Sequence, residues 1–220
     1  MKANKKLAVP TIVIIAVVAA VFGGYFLLNN NTRNTDITDI TDIDISALPV
    51  YSLHGSFVYD IYNTKEAVGI CDYVFIGKVV SYDGTQYRDP VPMMNEKGKM
   101  IEVGSPYTNY TVFVLKNIKG NLQTEEPISI TKQGGIVQTN DRVFVFEDDE
   151  LPIADNVYVF LCYAQADGSL LVSGPKSNIL INVTDGRALD STKEYQEYEK
   201  AVENEIIPIE RERYISVYEK

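Results

Sequence analysis

Residues 7–28 read LAVPTIVIIAVVAAVFGGYFLL, twenty-two consecutive positions without a charged side chain. A helix of that length rises about 33 Å, enough to cross the hydrocarbon core of a bilayer. All of its faces are apolar, which excludes a helix that keeps one side in water. Pro10 falls in the first turn, where a missing N–H costs least. Lys2, Lys5 and Lys6 precede the run, and Arg33 is the only basic residue between it and Lys65, while Asp36, Asp39, Asp42 and Asp44 follow closely. This asymmetry predicts a cytoplasmic stub over residues 1–6, a transmembrane helix over 7–28 and an extracytoplasmic body. A cleaved signal peptide would have a shorter apolar core and a small-x-small site, but the run ends in Tyr25, Phe26, Leu27 and Leu28. With no cysteine before Cys71, a lipid-modified anchor at that point is excluded as well. The expectation is an uncleaved single-pass anchor in a cell membrane.

Charge narrows the partners further. The chain carries 20 Lys and Arg against 30 Asp and Glu; without residues 1–28 the balance is 17 against 30, or −13. A body so acidic is repelled by phosphate backbones, so nucleic acid is not an expected partner. One His and two Cys exclude the usual structural zinc clusters and disulfide-dense scaffolds, and no cofactor is expected. Residues 29–48 read as a low-complexity acidic tether. Its Thr-Asp-Ile repeat has a period of three, which fits neither a strand nor a helix, and it lacks the alternation, glycine and distal glutamate of a calcium loop.

From Tyr51 onward, short β-branched and aromatic runs alternate with turn chemistry, which predicts a mainly β domain over 49–220. Strands are expected at 73–81 (YVFIGKVVS), 110–118 (YTVFVLKNI), 127–132 (PISITK), 142–146 (RVFVF), 156–163 (NVYVFLCY), 170–173 and 178–183. Polar residues 85–107, with Pro90, Pro92 and Pro106, cannot be a buried strand and read as a long excursion loop. A short helix is expected at 64–70, capped by Asn63 or Thr64. A longer one is expected at 191–204, opened by a Ser191-x-x-Glu194 capping box, with Tyr195, Tyr198, Ala201 and Val202 on one face. The tail around 214–218 fits a last edge strand or a frayed helical turn.

The order CDYVFIGKVVS, YTVFVLKNIKGN, ISITKQGG and NVYVFLCY resembles that of a loosely defined group of membrane-anchored or secreted bacterial proteins. That pattern is in turn similar to the netrin/tissue-inhibitor-of-metalloproteinase module. The resemblance covers about residues 64–183 and implies a five-stranded OB-like (netrin/TIMP-like) barrel. The extra strands, a short N-terminal helix and a longer C-terminal flanking helix would surround it. Cys71 stands where the pattern usually has Ala. The inhibitors of the module chelate zinc with an N-terminal cysteine. Here the matching stretch is expected to begin far from a cytoplasmic N-terminus, so the resemblance implies the fold and not that activity.

Candidate chemistry is sparse. His54 is the only histidine, and no acidic residue adjoins it in LHGSF, so pairing it with Cys71 or Cys162 as a nucleophile has no motif behind it. Outside the membrane, Cys71 and Cys162 could bridge as a disulfide or pack as two separate small hydrophobes; sequence leaves both open. The run Glu147, Asp148, Asp149, Glu150 reads as a solvated charged turn, and Gly134-Gly135 as a turn or bulge. Tyr51, Phe57, Tyr59 and Tyr62 are the candidate binding surface, as a platform for a peptide or sugar. The functional expectation is an extracytoplasmic binding or interaction module with an envelope protein or peptide as partner. The alternatives are a hydrolytic or thiol-based envelope enzyme and the ectodomain of a sensory complex.

Overall fold

The computed structural model describes residues 47–95, 97–182 and 186–220; the expected membrane helix and tether lie outside the described residues. Among the described residues no helix is long and apolar enough to cross a membrane. The domain is mainly β, with two helices, as its alternating apolar runs require.

The elements are β1 (Val50–Leu53), α1 (Thr64–Ile70), β2 (Tyr73–Met94), β3 (Met100–Lys119), β4 (Ile128–Gln133), β5 (Gly135–Ile136) and β6 (Val143–Phe146). They continue with β7 (Val157–Ala164), β8 (Leu170–Val172), β9 (Asn178–Ile181), a 3-10 turn (Gly186–Ser191) and α2 (Lys193–Glu203). Pairings run β2–β3–β4–β8–β7 and return from β7 to β2, while β9 joins the other edge of β7. The β4–β8 contact is parallel, whereas β2–β3, β3–β4, β7–β8 and β2–β7 are antiparallel. A second small sheet has the order β1-β6-β5, with β1 parallel to β6.

Period-two alternation in β2 and β7 sends side chains into two different cores. Tyr73, Phe75, Tyr158, Phe160 and Cys162 point inward, where they meet Tyr110, Val112 and Val114 of β3, Ile128 and Ile130 of β4, and Leu170 and Val172 of β8. Val74, Ile76, Val159 and Leu161 point outward and are covered by Ala67, Val68 and Ile70 of α1 and Tyr195, Tyr198 and Ala201 of α2. Each such aliphatic or aromatic side chain contributes about 1.5–3 kcal/mol on burial, so two-sided strands explain the unbroken apolar runs YVFI and VYVFL.

Both helices form where local chemistry permits. Asn63 caps α1, its side chain accepting from the Lys65 N–H. α2 is capped by Thr192, which accepts from the Tyr195 N–H, rather than by the predicted Ser191. Both residues have a suitable hydroxyl, and the preceding 3-10 turn absorbs Ser191.

Two expectations are corrected. Residues 85–107 are not a loop: Thr85–Met94 and Met100–Thr108 pair across to form a two-stranded ribbon, an extension of β2 and β3 beyond the closed ladder. Asp83-Gly84 does not end β2 but makes a bulge within it, and Pro90 and Pro92 sit on its exposed outer stretch, where no third strand needs their N–H groups. The C-terminal tail forms neither an edge strand nor a helical turn. It runs without regular structure along the domain, turns at Val217–Tyr218 and makes a single β-bridge, Leu122 to Glu219.

That tail is clamped rather than draped. Arg213 donates to the carbonyls of Gly69 (2.6 Å) and Cys71 (2.9 Å), and Arg211 to that of Ile70 (3.0 Å). Both guanidinium groups also meet the carboxylate of Asp72, whose side chain is 6% exposed. The tail passes so close to α1 that a β-carbon on Gly69 would lie 1.9 Å from the carbonyl oxygen of Ile206. Farther along, the Ser216 N–H donates to the Tyr73 hydroxyl (2.9 Å), which itself donates to Glu219.

Candidate functional site

Strand β4 continues the inward alternation of Ile128 and Ile130 into Lys132, which places a lysine at the end of the apolar interior. Its side chain is 0% exposed. A buried ammonium needs partners for all three protons. Asp149 supplies a carboxylate, Ser177 a hydroxyl oxygen at 2.7 Å and Gly174 a carbonyl at 3.5 Å. Asp149 comes from the turn after β6, and its side chain is 1% exposed. Gly174 and Ser177 belong to the β8–β9 connection, where Ser177 also donates to the Gly174 carbonyl at 2.7 Å.

The run at 147–150 is therefore not a uniformly solvated turn. Asp148 adopts a left-handed φ of 57°, and the turn aims Asp149 inward while Glu147 and Asp148 stay toward solvent. Burial pushes the Asp149 carboxyl up and the Lys132 ammonium down, and their mutual attraction opposes both shifts. Lys132 and Ser177 have the elements of a Ser–Lys dyad, but an ammonium paired with a carboxylate is no general base. No substrate reaches a side chain with zero exposure. The cluster's chemistry is that of a lock, which ties two loops to the end of the β interior.

Sequence reasoning missed Lys132, Asp149 and Ser177. The available signal was Lys132 itself: a lysine at the next inward position after two buried isoleucines demands a carboxylate, and the acidic run was the nearest dense source.

The predicted aromatic surface divides. Tyr51 lies on β1, half exposed, with its ring 6.3 Å from Phe144 and the Arg142 guanidinium 5.2 Å above it. Phe57 packs edge-on to Phe146 (5.6 Å) and Tyr59 (6.2 Å). Tyr59 turns inward against the core beneath α1 and α2. Tyr62 is 65% exposed, donates to Asp148 (2.9 Å) and carries the Lys176 ammonium 4.1 Å above its ring. Phe57 and Tyr62 share a crevice of about 50 Å³ with Leu53, Gly55, Asp148 and Pro175. The structure thus joins Phe57 with Tyr62 at this crevice and with Tyr59 through an edge-on ring contact, and leaves Tyr51 on the adjoining strand.

β1 itself is an edge. The carbonyls of Pro49, just before it, and of Leu53 accept from the N–H groups of Val143 in β6 and of Glu147 just after β6. By alternation the backbone groups of Val50 and Ser52 face the other way. Among the described residues no strand pairs with that side, and Val50, Tyr51 and Ser52 are exposed.

His54 follows β1, and its Nδ1 lies 2.8 Å from a Glu147 carboxylate oxygen, with both side chains largely exposed. Its bond goes to a carboxylate and not to a thiol. Cys71 and Cys162 are both free and buried, and they belong to different cores, Cys71 beneath the helices and Cys162 in the β interior. Burial pushes the Cys71 thiol up to about 12 and Cys162 well above its ordinary value, so neither is a thiolate at neutral pH.

Among the described residues no group of three or more metal-ligating side chains is gathered. No family model matches this chain, and no curated protein matches it.

Proposed function

We propose that this chain is a single-pass membrane protein that displays an OB-like β-barrel outside the cell as a binding module for an extended peptide segment of an envelope partner. Support for the barrel comes from the cyclic order of pairings. Strand β4 lies parallel beside β8 although β7 separates them in sequence, as in OB-type connectivity, and all five strands feed one interior cluster. The netrin/TIMP-like arrangement is then completed by α1 and α2 on the outer wall. The membrane assignment rests on the uncharged run at 7–28 and the lysines before it.

The observation that carries the binding reading is the open edge of β1. A parallel-paired, exposed strand with unpaired outward N–H and C=O groups is a template for adding one more strand. Tyr51 stands beside it and the Phe57–Tyr62 crevice lies at its end, which gives the added strand side-chain selectivity. The titratable cluster at Lys132, by contrast, is sealed, which favours binding over catalysis.

Photo-crosslinking in living cells tests this. A benzophenone amino acid in place of Tyr51 should yield discrete adducts, and Ser52→Pro, which removes an outward N–H while sparing the β1–β6 ladder, should abolish them. Adducts that persist undiminished in Ser52→Pro would remove the edge from the reading. Orientation is checked separately with protease added outside protoplasts. Digestion of the domain supports the topology, and full protection of residues 51–220 overturns it.

A further inference from the structure

The outer end of the β2–β3 ribbon belongs neither to the β1 edge nor to the Lys132 cluster. It holds Met93, Met94 and Met100, which together with Met1 are all the methionines of the chain. These three side chains are 50, 68 and 55% exposed. A methionine ordinarily serves as an adaptable filler of a protein interior. Here there is nothing to fill, because the outer half of the ribbon buries neither face.

The register decides which of the three meet. Met94 pairs with Met100 and Met93 with Ile101, so Met93 lies on the opposite face from the other two. The Asn95 N–H donates to the Lys99 carbonyl at 2.9 Å, which makes Asn95–Lys99 a hydrogen-bonded position of the ladder. Met94–Met100 is then the adjoining non-hydrogen-bonded position, where opposed residues stand closest, their α-carbons about 4.5 Å apart. Unbranched side chains rooted so close bring their sulfurs together in ordinary staggered rotamers. Two sulfur ligands at about 2.3 Å from one ion stand roughly 4 Å apart, a separation this position can supply.

A thioether carries no charge and no proton. It offers little to a hard divalent cation and suits a soft one such as Cu(I), or Ag(I) by the same chemistry. Alternation places the exposed Glu102 on the face that holds both sulfurs and turns Lys99 toward the other. The carboxylate nearest the pair therefore balances a monovalent cation, while the nearest ammonium leans away. Cys71 and Cys162 are buried in separate cores, so among the described residues Met94–Met100 is the one exposed position where two sulfurs are opposed. Thioether donors are a class apart from the histidine, cysteine and carboxylate groupings that the described residues lack.

We propose that Met94 and Met100 form a binding site for a soft monovalent metal ion, Cu(I) or Ag(I), held between two thioethers across the ribbon with Glu102 as its counter-charge. The site is open on its outer side, so the ion reaches it without movement of the domain. It depends on neither the membrane anchor nor the peptide edge.

The full chain in detergent micelles, labelled with carbon-13 at the methionine methyl groups, is titrated with Ag(I) in chloride-free buffer. The Met94 and Met100 signals should move together and saturate at one ion per chain, while those of Met93 and Met1 stay in place. Cu(I), kept reduced by ascorbate without oxygen and competed with bicinchoninate, reads the affinity. Met94→Leu and Met100→Leu keep the apolar volume, and each should weaken binding at least about tenfold. Met93→Leu, on the other face, should leave it unchanged. Because neither ligand takes up a proton, the Ag(I) shifts should persist from about pH 7 to about pH 5, where an imidazole or thiol site weakens. Undiminished uptake by Met94→Leu/Met100→Leu would overturn the site and move the ion to the cysteines or His54. Methyl shifts spread evenly over all four methionines, or no shift at all, would overturn it as well.

Discussion

Removing the charge from Lys132 alone should be among the most damaging single changes this domain can suffer. In Lys132→Met the side chain keeps its length and its place beyond Ile128 and Ile130, so packing is nearly preserved. Asp149 is not preserved. Its Oδ1 already lacks a hydrogen-bond partner, and the substitution strips the ammonium from Oδ2, leaving a carboxylate with 1% exposure unpaired. Breaking a buried pair in this way costs about 3–5 kcal/mol, a third or more of the stability of an ordinary domain. Asp149→Leu should cost a similar amount, because Lys132 is left with only Ser177 and Gly174. The two together should not add. Lys132→Met/Asp149→Leu removes both charges and should lie within about 1 kcal/mol of the native chain, or above it. Urea unfolding of the full chain in detergent micelles, followed by far-ultraviolet circular dichroism, reads all four species. With a slope of about 2 kcal/mol/M, each single variant should lower the midpoint by roughly 2 M and the double variant should restore it. Single losses below about 1 kcal/mol, or a double variant that is simply the sum, would refute the account of a sealed, mutually dependent pair.

Three other outcomes follow from the same contacts. Gly69→Ala should cost about 1–3 kcal/mol and raise amide exchange over residues 205–213, since the added carbon meets the Ile206 carbonyl; unchanged exchange there would refute the close approach. Asp72→Asn should loosen the same segment by releasing Arg211 and Arg213, with a smaller loss because both arginines are partly exposed, and thermal unfolding with proteolysis at Arg211 checks it. The unfolded Cys71 thiol ionises near pH 8.5 and the folded one near about 12, so the folded state holds the proton longer. Stability from this group is whole below about pH 8.5 and declines as pH rises toward 12, and Cys71→Ala should flatten that alkaline limb in denaturation series. Equal slopes would count against a buried thiol, as would rapid alkylation of Cys71 in the native chain.

Much of the β framework was legible because short β-branched and aromatic runs such as YVFIG and NVYVFLCY alternate with turn chemistry, and both cores draw on them. The ribbon was illegible for a physical reason. The outer half of the extension buries neither face and so carries no apolar alternation, and prolines on an outer edge look the same as prolines in a loop. Asp149 was hidden by its neighbours, since four consecutive acidic residues give no hint which one a left-handed residue at Asp148 will turn inward. Tyr59 and Tyr62 differ by three positions, yet one is core and the other surface, a distinction set by the approach into α1 and absent from residue type. The open edge of β1 depends on which strands fail to meet it, and no local sequence window contains that.

The clamped tail also sets a schedule. The Tyr73 hydroxyl bonds across 146 residues to Glu219, and Lys220 returns to the backbone of Asn121. At roughly 5–20 residues per second, a ribosome finishes these partners on the order of ten seconds or more after β2 has emerged. Throughout that interval Asp72 lacks its arginines, and the carbonyls of Gly69, Ile70 and Cys71 lack their donors. The first strand of the larger sheet to appear is thus among the last to be completed, and the domain reaches its final form only once residues 211–220 have emerged. A nascent chain of this kind is exposed to proteases and chaperones around residues 69–73, and the emergence of the clamping tail is what closes that window.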